Sequence, residues 1–305
     1  MKLWDSHPKA NAETPAPEGI VASIGKYEIV ARIGSGGFGT VFEAWDPDFK
    51  RRVAIKTCSL GKEYQARFLQ EAEIAGRLQH PNITTVYESG MEGETPFIVQ
   101  EFLSGEDLSQ IIERRDPLGV PAKVRILAGI ARGLEYAHRA RVIHRDIKPA
   151  NVRVLENGGV KIMDFGIAKL IGAPSVLTGD GVALGSSSYM SPEQVSGDSV
   201  VDPRTDIFSF GVLAYELVAY RKPFDDPNLF RLLEMIVKEE PESIRRIAPD
   251  TPDSLATLIE RAMRKDPSER FDSMKELRLA LAKVLRPPES VPPDVGSVLL
   301  RGGVG

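Results

Sequence analysis

The chain has little of what several large protein classes depend on. Of its 305 residues only one is cysteine, Cys58, which excludes an internal disulfide and a cysteine metal cluster. A reducing cytoplasm is the expected setting, and there the Asn82-Ile83-Thr84 sequon would carry no sugar. No apolar run is long enough to cross a bilayer, and the first residues lack the apolar core of a secretion signal. Positive charge is not in excess: 39 Lys and Arg stand against 43 Asp and Glu, for a net charge of −4. That balance argues against broad electrostatic capture of nucleic acid or of an anionic membrane. Internal repeats are also lacking. What is there, 42% hydrophobic and 27% charged residues, is ordinary for a globular protein, and the length suffices for two substantial cores.

Both ends lack periodicity. Residues 1–24 mix Pro, Ala, Glu and small polar residues and read as a flexible leader. From Arg286 onward, and chiefly over 287–305, a Pro/Gly-rich tail reads as a linker toward further sequence in a larger parent protein. Between them the pattern changes character once. Short runs rich in Val, Ile, Tyr and Phe predict strands at Tyr27–Ile33, Thr40–Trp45, Arg51–Thr57, Ile83–Glu88 and Pro96–Phe102, with one helix near Glu63–Gln79. After Gly105 helices dominate: Pro121–Arg139, then Thr205–Ala219, apolar nearly all round, then three amphipathic helices near 226–239, 252–264 and 272–285. The expected fold is α+β and bilobal, a small antiparallel β lobe over 25–103 followed by a larger helical lobe over 104–286. A cleft at such a join is where ligands tend to bind.

Three features bear on that cleft. Ile33-Gly34-Ser35-Gly36-Gly37-Phe38-Gly39-Thr40-Val41 carries glycines at a spacing that lets backbone N–H groups approach phosphate oxygens. The same three glycines open dinucleotide-binding units, but there a helix follows; here a strand follows, which favours a hairpin lid over a nucleotide. An ordinary glycine hairpin is the bland alternative. In Val53-Ala54-Ile55-Lys56, alternation puts Ala54 and Lys56 on one face, so the lysine needs a charge partner or water. Glu71 interrupts the apolar stripe Phe68, Ala75, Leu78 and is the candidate partner, holding Lys56 against phosphates. Glu73 lies off the stripe and is expected to face solvent; two snorkelling surface charges are the alternative.

The third is His144-Arg145-Asp146-Ile147-Lys148-Pro149-Ala150-Asn151, followed by Asp164-Phe165-Gly166. With the preceding motifs in this order, the sequence resembles the eukaryotic-like protein kinases in their bacterial serine/threonine form, from about Tyr27 to Leu285. The resemblance implies ATP with Mg²⁺ (Mn²⁺ as an alternative) and protein substrates bearing Ser or Thr. It makes Asp146 the base that relieves a hydroxyl of its proton and Lys148 the cation that offsets charge on the transferred group. Asn151 and Asp164 become hard oxygen ligands for the metal. Glu101-Phe102-Leu103 maps to the adenine-binding connection between lobes, and Asp107 to the ribose hydroxyls, with a helix N-cap an equal reading. Glu193 resembles an acid that pairs with a distant arginine, here Arg270, and Asp206 one that anchors the catalytic loop. A homodimer through the small lobe is also suggested.

Arg145 implies an activation segment ordered by a phosphate, for which Thr178 is the first candidate, with Ser175 and Ser187 behind it. Two positions depart from the family pattern. Arg153 replaces an apolar residue under the adenine ring, and Gln100 replaces the usual residue before the connection. Such a polar pair either weakens ATP binding or stacks a guanidinium on the base. These departures support the rival reading, a pseudokinase that binds without transferring phosphate; Lys56, Glu71, Asp146, Lys148, Asn151 and Asp164, all present, oppose it. A small-molecule kinase is disfavoured by Ser191-Pro192-Glu193 and the segment before it.

Overall fold

Val53 and Ile55 pack on one side of their strand with Tyr27, Ala44, Phe97 and Val99, while Ala54 and Lys56 face the other way. This alternation organises the first part of the computed structural model, which describes residues 23–36, 39–165, 187–197 and 201–285. Strands β1 (Ser23–Ile24), β2 (Tyr27–Gly36), β3 (Gly39–Asp46), β4 (Arg51–Thr57), β5 (Val86–Glu92) and β6 (Thr95–Glu101) form one antiparallel sheet in the order β1-β2-β3-β4-β6-β5. Helix α1 (Lys62–Gly76) covers its second face, where Phe68 and Ala72 pack with Cys58 and Ile98. Glu73 lies outside this contact and pairs with Arg77 in solvent, as its place off the stripe predicts.

The β2–β3 hairpin closes with Gly36 opposite Gly39. Gly39 has φ +156°, and a Cβ there would lie 1.8 Å from the Thr57 carbonyl oxygen, so no side chain fits. The strand expected from Ile83 begins instead at Val86. Asn82 and Thr84 are drawn away by the other lobe: Ile162 N–H donates to Asn82 O, and Thr84 N–H donates to Ile162 O, both at 2.9 Å. Asn82 is buried, and its amide nitrogen donates to Val160 O at 2.7 Å, so the sequon is no surface loop.

Beyond Glu101 the second lobe is helical: α2 (Leu108–Glu113), α3 (Val120–Arg139), α4 (Pro192–Ser196), α5 (Arg204–Ala219), α6 (Leu229–Lys238), α7 (Ile244–Ile247), α8 (Asp253–Ala262) and α9 (Met274–Val284). Helix α5 is buried along nearly its whole length, from Thr205 to Val218, as its all-round apolar sequence requires. A small antiparallel sheet not foreseen from sequence, β7 (Glu106–Asp107), β8 (Val152–Val154) and β9 (Val160–Ile162), lies beside the junction of the lobes. The bilobal α+β architecture expected from the residue pattern is the one observed. Among the described residues no helix is long and apolar enough to cross a membrane.

Candidate active site

The loop after α3 is held by groups that arrive from far along the chain. Asp206, in the first turn of α5 and fully buried, accepts from the backbone N–H of His144 and of Arg145, each at 2.8 Å, and lies 2.7 Å from His138 Nε2. Burial alone would raise the Asp206 carboxyl. The bond to His138 and the backbone donors outweigh it and leave the group below its ordinary range. Arg145 itself sits at φ 65°, a conformation that costs a non-glycine residue about 1–2 kcal/mol. Its two backbone groups are both tied: the N–H to Asp206, and the C=O to Gln194 Nε2 at 2.9 Å. Gln194 is fixed in turn by the capping box of α4, where its Oε1 accepts from Ser191 N–H at 3.0 Å.

This loop delivers the next residue, Asp146, to the cleft. Asp146 Oδ2 accepts from Lys148 Nζ at 2.8 Å and from Asn151 Nδ2 at 3.0 Å; the same Nδ2 reaches the Asp146 carbonyl at 2.8 Å. Carboxylate, ammonium and amide thus converge. His144 locks the geometry from below. Its Nδ1 accepts from Asp146 N–H at 3.2 Å, so Nε2, 3.0 Å from Met163 O, must carry the ring proton. Burial lowers the His144 pKa, which keeps this neutral tautomer in place.

Met163 N–H also donates to Asn151 O at 2.9 Å, so the Asp164 segment is sewn to the Asn151 segment. Asp164, at φ 49°, lies 3.0 Å from Lys56 Nζ, joining β4 of the small lobe to the large lobe. Asn151 turns its amide nitrogen to Asp146, and its remaining oxygen and the part-exposed Asp164 carboxylate are hard donors on adjoining segments, chemistry that fits a magnesium-like cation. A narrow cleft runs from Lys56, Ile98 and Gln100 to Ile162, Asp164 and Phe165. Ile33, Gly34, Ser35, Gly36, Gly39 and Val41 belong to the β2–β3 hairpin, with Val41 opposite Lys56. Gln100 stands opposite Ala54 on the next strand.

At the end of β6, the Glu101 carboxylate accepts from Lys161 Nζ at 2.6 Å, and Leu103 is buried. Asp107 is the N-cap of α2, one of its two expected roles, and it also pairs with Arg153 at 2.8 Å. The Arg153 charge therefore has a partner inside the protein. Glu193 and Arg270 form the expected pair, bidentate at 2.8 Å on both arms and buried. Ser187 is fully buried with its hydroxyl enclosed. Gly37, Phe38, Gly166, Ser175, Thr178 and the side chain of Glu71 lie outside the described residues.

Four contributors escaped the sequence reading: His138, His144, Lys161 and Gln194. Lys161 carried a signal, being a lone cation between Val160 and Ile162 three positions before Asp164. For His138 and Gln194 the partners Asp206 and Arg145 lie 68 and 49 positions away, and no local pattern marks them; His144 stands in the quoted motif, but its bond to Met163 spans 19 positions.

A two-lobed fold with this clamped Asp-Lys-Asn loop opposite a strand lysine defines the protein kinases. The chain belongs to that family: the protein kinase domain matches residues 27–279. It is 37% identical over 270 residues to a probable serine/threonine-protein kinase of Streptomyces coelicolor, covering 86% of this chain and 40% of that protein. With serine/threonine-protein kinase PknA of Mycobacterium tuberculosis it shares 34% over 293 residues, covering 91% of this chain and 67% of PknA. With a probable serine/threonine-protein kinase of Clostridium perfringens it shares 34% over 267 residues, 86% of this chain and 39% of that protein. The chain thus spans about two fifths of the Streptomyces and Clostridium proteins. Membership of the family implies, in general, the use of ATP and a divalent cation.

Proposed function

We propose that this domain transfers the γ-phosphoryl group of ATP to serine and threonine hydroxyls of proteins. The observation that carries the reading is the Asp146 carboxylate, oriented by Lys148 and Asn151 in a loop clamped to α5. Asp146 accepts the proton of the attacking hydroxyl, and Lys148, already 2.8 Å from it, offsets charge on the group in transfer. Lys56 holds phosphate oxygens, exchanging or sharing its contact with Asp164, and Glu71 steadies it. The β2–β3 hairpin, from Ile33 to Val41, covers the phosphates. Asn151 and Asp164 would hold Mg²⁺, with Mn²⁺ as an alternative; such a cation screens the phosphate charges. Adenine lies against Ala54, Gln100 and the Glu101–Leu103 backbone.

The same reading makes the domain cytoplasmic and activated by autophosphorylation. With the Ser187 hydroxyl enclosed, Thr178 is the favoured phosphosite and Ser175 the next; Thr178→Ala should lower turnover at least several-fold in a peptide-phosphorylation assay. A homodimer through the β lobe is the assembly that goes with it. Incubation of the pure protein with Mg·ATP and a generic protein acceptor, read by mass spectrometry, tests the activity. Serine and threonine modification in the wild type, falling by 10²-fold or more in Asp146→Asn, supports it. ATP binding with no phosphorylation by the wild type would leave the pseudokinase reading in its place.

A further inference from the structure

A second cavity, sharing no residue with the active-site cleft, lies between α3 and α9. At about 150 Å³ it has room for a branched aliphatic side chain. Its floor is apolar: Val124 and Leu281 are buried, and Ala128 and Leu285 extend it. Three arginines, Arg125, Arg132 and Arg278, stand around that floor. Two of them are fixed in place, Arg132 by the bond from its Nε to Asn82 Oδ1 at 3.1 Å and Arg278 by its ion pair with Glu135. An apolar floor under a rim of guanidinium groups suits a segment that carries aliphatic and acidic side chains together.

The described part of the helical lobe ends at Leu285, itself part of the cavity wall. A few positions on, the sequence reads Glu289-Ser290-Val291-Pro292-Pro293-Asp294-Val295, two acids and two valines without a cation. Val298-Leu299-Leu300 is more apolar, but Arg301 beside it would meet the arginines of the rim. The six residues from Leu285 to Val291 reach about 19 Å when extended. The cavity runs only about 10 Å along α9, from Leu285 back to Arg278, so the segment is long enough to turn back over it. Tethering holds its local concentration on the order of millimolar. The proline pairs Pro287-Pro288 and Pro292-Pro293 reduce the conformational freedom that docking would cost. We propose that the cavity between α3 and α9 is a docking site for the chain's own segment 289–295, with Glu289 and Asp294 toward the arginines and a valine on the apolar floor.

The test is double electron–electron resonance on the full chain, with spin labels on Lys275→Cys, in α9 outside the cavity, and on Ser297→Cys, just past the segment. Cys58 is buried, and a mass spectrum confirms two labels per molecule. A docked segment should give one distance distribution narrower than about 8 Å, whereas twelve free residues beyond Leu285 would spread it over about 20 Å. Glu289→Lys with Asp294→Lys should broaden the narrow distribution, and Arg125→Glu should do the same from the side of the cavity. Arg125 is exposed, and a thermal melt checks that its replacement leaves the fold intact; if it does not, the wild type and the Glu289→Lys, Asp294→Lys protein decide alone. A broad wild-type distribution overturns the proposal, as does a narrow one that the charge reversals leave unchanged. A narrow distribution that is lost on mixing with excess unlabelled protein also overturns it, in favour of a second copy as the occupant.

Discussion

Removing Glu193 should cost the fold several kcal/mol, because it breaks one side of a buried ion pair. Its partner Arg270 is fully enclosed, with a side-chain exposure of 0%. Each guanidinium nitrogen is used: Nε to Arg264 O, Nη1 to Glu193 Oε1 and Arg204 O, and Nη2 to Glu193 Oε2 and Lys265 O. Burial alone would raise the Glu193 carboxyl, but the bonds from Arg270 hold it below its usual range, so the pair is ionised. Glu193→Ala leaves that guanidinium buried with three carbonyls and no counter-charge, and breaking one side of a buried pair costs about 3–5 kcal/mol. The surviving carbonyl bonds put the expected loss near the lower figure, about 3 kcal/mol. For a chain of this size about 2–4 °C accompanies each kcal/mol, so the melting temperature should fall by about 6–12 °C. Differential scanning calorimetry reads this directly. The double variant Glu193→Leu with Arg270→Met, which removes both charges and keeps the volume, should recover part of the loss. A Glu193→Ala protein melting within about 2 °C of wild type would refute the reasoning.

Lys56→Met should lower kcat/KM for ATP about 100-fold while moving the melting temperature by no more than about 2 °C, because the Lys56–Asp164 pair is part-exposed and such pairs contribute little to stability; steady-state kinetics beside a thermal melt check it. Stability should decline as the pH falls below about 6.5, the ordinary histidine value, since the unfolded chain takes up a proton there that buried His144 refuses. His80, also lowered by burial, acts in the same sense, and Glu216, raised by burial, acts in the opposite sense just above its ordinary value of 4.5. Urea midpoints of wild type and His144→Gln between pH 8 and 5 isolate the His144 share: the wild type should lose more on acidification, and parallel curves would count against the assignment.

Local alternation was enough to read β4, whose observed span Arg51–Thr57 is the one expected, because both faces of that strand are packed and each residue type answers to its own side. It misled at Ile83. There the apolar residue belongs to the core of the other lobe, and a parallel bridge to Ile162, 79 positions away, takes the backbone that the pattern assigned to a strand. Strands of two or three residues, as in β7, β8 and β9, are shorter than any period can register. The chemistry at Asp146, Lys148 and Asn151 was legible because three functional groups fall within six positions. The Arg153–Asp107 pair was not, since it joins residues 46 apart through a register that only the folded sheet defines.

The supports of Asp146 explain why so much of the sequence is committed to so small a site. Arg145 occupies a left-handed conformation that its own side chain disfavours, and it persists because Asp206 from α5 takes its N–H while Gln194 from α4 takes its C=O. One residue earlier, His144 connects Asp146 N–H to Met163 O through its two ring nitrogens, and Asn151 O accepts from Met163 N–H. The proposed base and the proposed metal-binding segment are therefore one mechanical unit, cross-tied twice before any substrate arrives. α4 is part of the same unit, since Glu193, beside Gln194, is anchored by Arg270. A displacement of the segment preceding α4 would reach Asp146 through the hydrogen bond from Gln194 Nε2 to Arg145 O, and through Glu193 and Thr205 to the neighbouring Asp206. Preorganisation and control then share the same few contacts, which is an economical way for a fold to hold a reactive geometry that is strained on its own.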